Sequence, residues 1–145
     1  MSKKPFTIAF DLGGVIFEVH NDNRLFKRNY LETTLSEGMY DLIVSLSQEP
    51  RLKLIIISKA YPANARKSKE ILNMYGLTDC FNSIIFCEKN CAKYPIARAM
   101  GVDLMIDDKE EVLEPFDSPT FLYNASTKHT LRARISRLLG ADGKS

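Results

Sequence analysis

Phe6-Thr7-Ile8-Ala9-Phe10-Asp11-Leu12-Gly13-Gly14-Val15 is an apolar run that ends on a carboxylate and passes at once into two glycines. A strand that stops on an acid and a flexible turn is the opening half of a β-turn-α unit, and it sets the pattern for the rest of the chain. Further short apolar runs rich in Ile, Leu, Phe or Val occupy residues 52–57, 83–86, 102–106 and 120–123. Near-continuous apolar strands suit a parallel sheet that is covered on both faces.

Between the runs lie segments of helical period. Met39, Leu42, Ile43 and Leu46 share one face, with Ser36 as the expected N-cap. A second helix has Pro62 in its first turn, an apolar face that includes Leu72 and Tyr75, and a stop at Gly76. A third ends at Gly101. A fourth, over residues 128–139, gathers Leu131, Ile135, Leu138 and Leu139 and turns Arg132, Arg134 and Arg137 largely to solvent. Strands alternating with helices imply βαβ units with right-handed crossovers, and so a three-layer doubly wound parallel α/β fold. The expectation is one domain over residues 1–140 with a disordered tail over 141–145.

Bulk composition narrows the function classes. A chain of 145 residues, 45% hydrophobic and 26% charged, has the makeup of a single soluble domain. The net charge of +2 gives no argument for nucleic acid or an anionic membrane. No stretch approaches the roughly 18 apolar residues of a membrane span. Cys80, Cys87 and Cys91 form no CxxC pair, and His20 and His129 are not at zinc spacing from them. Reduced thiols and no cleavage-site pattern point to the cytoplasm.

In an open parallel α/β sheet, ligands bind beyond the carboxyl ends of the strands. The residues that follow the runs therefore matter most: Asp11 and Gly13 after the first, Ser58 and Lys59 after the second, and Asp107 and Asp108 after the fourth. Lys93 begins the helix that leads into the fourth run, and Lys89 is its rival for a phosphate-facing role. Carboxylates from two strand ends make a hard oxygen site suited to Mg²⁺. A hydroxyl and an ammonium supply the donors a phosphate needs. Read singly, Asp11 is as well explained as a turn cap, Ser58 as a cap and Lys93 as a solvated helix lysine.

The order of these groups resembles the four motifs of the haloacid dehalogenase-like superfamily. Phe10-Asp11-Leu12-Gly13-Gly14-Val15-Ile16 is similar to its nucleophile loop, and Leu54-Ile55-Ile56-Ile57-Ser58 to its strand ending in Ser or Thr. The stretch from Lys93 through Gly101-Val102-Asp103-Leu104-Met105-Ile106-Asp107-Asp108 is similar to its lysine-to-double-aspartate segment. The resemblance implies a Mg²⁺-dependent phosphohydrolase acting on a phosphorylated substrate, small or macromolecular. Asp11 would be the nucleophile, forming an aspartyl-phosphate. Asp11, the Gly13 carbonyl and Asp107 would hold the metal, with Asp108 as a further ligand or an outer-shell partner, while Ser58 and Lys93 would bind phosphate.

One position departs from the family. A second aspartate, the general acid, usually stands two residues after the nucleophile, and here Gly13 stands there. The missing acid leaves three alternatives: a leaving group that needs no strong acid, a substitute such as His20 or Asp108, or a module that binds phosphate or a partner with little or no turnover. His20 also opens a polar stretch followed by Arg24, Lys27 and Arg28 that reads as a flap or an exposed loop. Only about 40 residues separate Asp11 from the second run, which leaves no room for a cap domain there. Capless members of the family act on large substrates or complete their site by oligomerisation, so a homo-oligomer is one expectation.

Overall fold

The computed structural model describes residues 4–18 and 29–143. Five strands, β1 (Phe6–Phe10), β2 (Leu52–Lys59), β3 (Ser83–Cys87), β4 (Leu104–Asp107) and β5 (Thr120–Leu122), form one sheet in the order β3-β2-β1-β4-β5. All neighbouring pairs are parallel, with Phe10 opposite Ile56 on one side and Ile106 on the other. The chain winds outward from β1 to β3, then returns to build β4 and β5 on the opposite side of β1. The topological switch therefore falls between β1 and β4, where such sheets place their ligands.

Alternate strand residues feed two separate cores. Ile8, Phe10, Leu54, Ile56, Leu104 and Ile106 face one way. There they meet α1 (Met39–Ser47), α2 (Pro62–Met74) and α5 (Leu131–Gly143) through Ile43, Ile71, Leu72, Leu131 and Ile135. Ala9, Ile55, Ile57 and Met105 face the other way, against α3 (Lys93–Ala99) and α4 (Glu110–Leu113) through Ala97 and Leu113. The expected doubly wound, Rossmann-like α/β fold is the one observed. No helix among the described residues is long and apolar enough to cross a membrane.

Several boundaries differ from the sequence reading. Helix α1 starts behind Gly38, which has a left-handed φ of 74° and no side-chain cap, so Ser36 is not the N-cap; its carbonyl instead accepts the Met39 N–H at 3.0 Å. Val102 belongs to a helix terminus and not to a strand. Its N–H donates to the Ala97 carbonyl at 3.0 Å while that of Gly101 donates to Arg98 at 3.2 Å, a Schellman closure around a glycine with φ 69°. Strand β4 consequently begins two residues later and runs one further, into Asp107. Helix α4 was not anticipated, since four residues carry too little periodicity to register. Helix α5 begins after a 3-10 turn over Lys128–Thr130 and continues to Gly143, past the point where a disordered tail was expected.

Candidate active site

The register of β1 and β4 decides the geometry. The Asp11 N–H extends the ladder by one bond, to the Ile106 carbonyl at 3.0 Å, so Asp11 and Asp107 emerge side by side at the switch point. The loop after Asp11 is held by its own apolar side chains, with Leu12, Val15, Ile16 and Phe17 all buried. Its backbone closes on itself through Phe17 N–H to Leu12 O at 2.8 Å and Gly14 N–H to Phe17 O at 2.9 Å.

The two glycines of this loop have different duties. Gly14 has φ 84°, and a Cβ there would collide with the Asp108 carboxylate. It is glycine both for its backbone angle and for the close approach of an acid. Gly13 has no positive φ, and a Cβ there would meet no heavy atom within 4 Å. The position where the family keeps an acid could accommodate a side chain.

Lys93 lies beneath this loop, 1% exposed. Its Nζ donates to Asp107 Oδ2 at 2.8 Å and pairs with Asp11 Oδ1 at 3.2 Å. Asp11 Oδ1 also accepts the Leu12 N–H at 2.8 Å, and Asp107 Oδ1 accepts the Lys109 N–H at 3.0 Å. Asp108 completes the group, since carboxylate oxygens of Asp11, Asp107 and Asp108 lie within 4.8 Å of one another. Asp108 Oδ1 is buried and has no hydrogen-bond partner among the described residues. A buried, unpartnered carboxylate oxygen is costly unless something else satisfies it.

Burial, the largest influence on Asp11, lifts its carboxyl to a pKa of about 7, with the Asp107 and Asp108 charges raising it further and Lys93 opposing. Burial likewise raises Asp107 against the pull of Lys93. Lys93 is itself disfavoured as a cation by burial, but Asp11 and Asp107 together outweigh that and hold its pKa above the ordinary lysine value. Three acids served by one ammonium leave excess negative charge, and a divalent cation is the natural complement. On this donor set and the unpartnered Asp108 oxygen, the residues fit Mg²⁺.

The acids form the floor of a cleft of about 470 Å³. Asp11, Gly13, Ser58, Lys93 and Asp108 line it, and Asp107 lies just below, fully buried. Ser58, near the end of β2, is 5% exposed and borders the cleft; the cap position of α2 falls to Tyr61 instead. Lys89 is exposed, caps a short 3-10 turn and does not line the cleft, so Lys93 is the lysine at the acids. His20, Arg24, Lys27 and Arg28 lie outside the described residues.

The rim of the cleft was largely missed in the sequence. It is built by Lys59, Tyr61, Asn64, Ser68, Asn90 and Lys109. Lys59, the last residue of β2, was singled out with Ser58 in the sequence; Lys109, two residues past β4, was open to the same rule that found Asp108. Asn64 and Ser68 are four residues apart on α2, a polar pair on one helical face.

No protein-family model matches the sequence, and no curated protein does. Solved structures do. A haloacid dehalogenase-like family hydrolase from Xanthomonas campestris superposes with a TM-score of 0.65, covering 99% of this chain and 100% of its own at 9% identity. Chains from two structures of the Pnkp1/Rnl/Hen1 complex, described in one of them as an RNA repair complex, give TM-scores of 0.66 and 0.69 at 16% and 15% identity. They cover 83% and 86% of this chain, which spans 42% and 47% of theirs. A protein from Listeria monocytogenes serotype 4b gives 0.53 at 16% identity, covering 70% of this chain and 66% of its own. At these identities the likeness is one of fold, and that fold is a Rossmann-like α/β sheet shared end to end with a haloacid dehalogenase-like hydrolase.

Proposed function

We propose that the protein is a Mg²⁺-dependent phosphohydrolase that works through an aspartyl-phosphate on Asp11. One observation carries the reading: a buried lysine joins Asp11 to Asp107 at the switch point, with the unpartnered Asp108 oxygen beside them. The fold shared with a haloacid dehalogenase-like hydrolase supports it, as does the resemblance of the four sequence motifs.

Asp11, Asp107, Asp108 and the Gly13 carbonyl would hold the metal. When bound, Mg²⁺ would supply positive charge that offsets repulsion between an anionic nucleophile and an anionic substrate. An Asp11 carboxylate oxygen attacks phosphorus as the ester P–O bond breaks and the leaving oxygen departs with the electron pair. Water then attacks the same phosphorus, releases phosphate and restores the carboxylate. Lys93 holds the Asp11 carboxylate in place and neutralises charge as it builds on the phosphoryl group. Ser58 hydrogen-bonds a phosphoryl oxygen. The cleft is open, so the substrate itself or a second copy of the chain excludes water.

A second reading, a phosphate- or partner-binding module with little turnover, is favoured by one observation only. Gly13 offers no proton to a leaving group, and general acid–base catalysis is worth about 10²–10⁴-fold. Hydrolysis of a panel of phosphoesters with Mg²⁺ and with EDTA, by the parent and by Asp11→Asn, separates the two. The expected result is turnover that requires both Mg²⁺ and Asp11. Phosphate binding without turnover of any ester would favour the binding module.

A further inference from the structure

Tyr61 is 59% exposed at the N-cap of α2 and makes no side-chain cap bond. Ser, Thr, Asp and Asn are the residues that stabilise this position, so neither local structure nor burial accounts for a tyrosine there. Tyr61 lines the cleft three residues beyond Ser58, a separation of at most about 11 Å along extended chain. Lys59 and Lys109 border the same cleft from β2 and from the segment after β4, the two strands that flank β1. Among the described residues neither of their ammonium groups pairs with a carboxylate. A cleft of about 470 Å³ lies within the roughly 300–1,000 Å³ of small-molecule sites and is far larger than a lone phosphate requires.

From these features, and resting on the phosphohydrolase reading above, we propose that the substrate is an aryl phosphate monoester whose ring packs against Tyr61. Two independent features converge on it. The exposed ring at the rim offers offset or edge contact to an aromatic group held one bond from the phosphate. Gly13 provides no acid, and a phenol with a pKa near 10 leaves as phenolate without one. The Asp11 oxygen bonds to phosphorus, the aryl P–O bond breaks, and the phenolate carries off the electron pair, later taking a proton from solvent. A sugar or alkyl alcohol, being far more basic, lacks that route. Lys59 and Lys109 attract the dianion to the open cleft.

The test uses the full chain with Mg²⁺ and measures kcat/KM for phenyl phosphate, a phosphotyrosine peptide, glycerol phosphate and a nucleoside monophosphate. In parallel, calorimetry follows the binding of phenylphosphonate and methylphosphonate, which are not hydrolysed. The expected result is an aryl-over-alkyl preference that Tyr61→Ala reduces about 3- to 10-fold, as one aromatic contact predicts. Tyr61→Phe retains it, and so does Tyr40→Ala, a control on the exposed face of α1. Gly13→Asp should narrow the gap by speeding the alkyl esters. The peptide against phenyl phosphate tells whether the aryl group is presented by a protein or by a small molecule. Equal binding of the two phosphonates, an aryl preference untouched by Tyr61→Ala, or a nucleotide turned over best would overturn this proposal and leave the phosphohydrolase reading standing. Failure of both phosphonates to bind, or binding indifferent to Ser58→Ala, would remove the phosphate site itself and both proposals with it.

Discussion

The floor and the rim of the cleft are built on opposite principles. On the floor, Asp11, Lys93 and Asp107 are buried and locked to one another and to the backbone, with both Asp107 oxygens already engaged. On the rim, Lys59, Tyr61 and Lys109 are exposed, at the last residue of β2, the N-cap of α2 and the segment after β4. A buried charge is retained only where its partners are fixed, so the floor is rigid and intolerant of change. An exposed charge or ring costs the fold little, so the rim is free to be shaped by whatever binds. On the proposed function, chemistry belongs to the floor and selectivity to the rim.

Removing the central cation should show the contrast most sharply. Lys93→Met leaves two buried carboxylates without their counter-charge and should destabilise the protein by about 3–5 kcal/mol, the range for breaking a buried ion pair. Lys59→Met on the rim should change stability by no more than about 0.5 kcal/mol. Urea unfolding of the two variants measures the difference, and equal effects would erase the distinction between floor and rim.

The paired glycines refine the contrast within one loop. Gly14→Ala should cost about 1–3 kcal/mol for a left-handed non-glycine residue, and more for its clash with Asp108. Gly13→Ala, in open space without a positive φ, should remain within about 1 kcal/mol of the parent. Thermal melts of both check this, and a Gly14→Ala protein as stable as the parent would contradict the close approach of the acid.

A smaller effect should appear on titration. Asp11 has a folded pKa of about 7 against an ordinary 3.8, so between these values the native protein holds more protons than the unfolded chain. Stability of the metal-free protein should therefore fall as pH rises from about 4 to about 7. Mg²⁺ held at Asp11, as proposed, would compete with that proton, so adding it should flatten the decline, and Mg²⁺ affinity should weaken as pH drops below about 7. Stability that is independent of pH across this window, with and without Mg²⁺, would mean that Asp11 is not the buried acid described.

The floor was legible in the sequence because each of its residues stands at the end of an apolar run or starts the helix before one, and a parallel sheet brings those ends together. Asp11, Ser58, Lys93, Asp107 and Asp108 all follow from that rule. Lys89 was a rival because spacing alone cannot say which lysine of a loop turns inward, and the 3-10 turn over Asn90–Ala92 makes the choice. The rim was mostly hidden: the position of Tyr61, and of the Asn64 and Ser68 pair, depends on where α2 begins. Ser36 and Val102 were misjudged for a related reason. A positive-φ glycine beside each shifted the element boundary by two residues, at Gly38 and Gly101.

The central claim is that Asp11 takes the phosphoryl group. Acid quench during turnover of an aryl phosphate radiolabelled at phosphorus, with Mg²⁺ present, followed by peptide mapping, tests it most directly. The account predicts acid-stable label on the peptide that carries Asp11 and none on Asp11→Asn. Steady turnover of the same ester by Asp11→Asn, or label mapped to another residue, would contradict it.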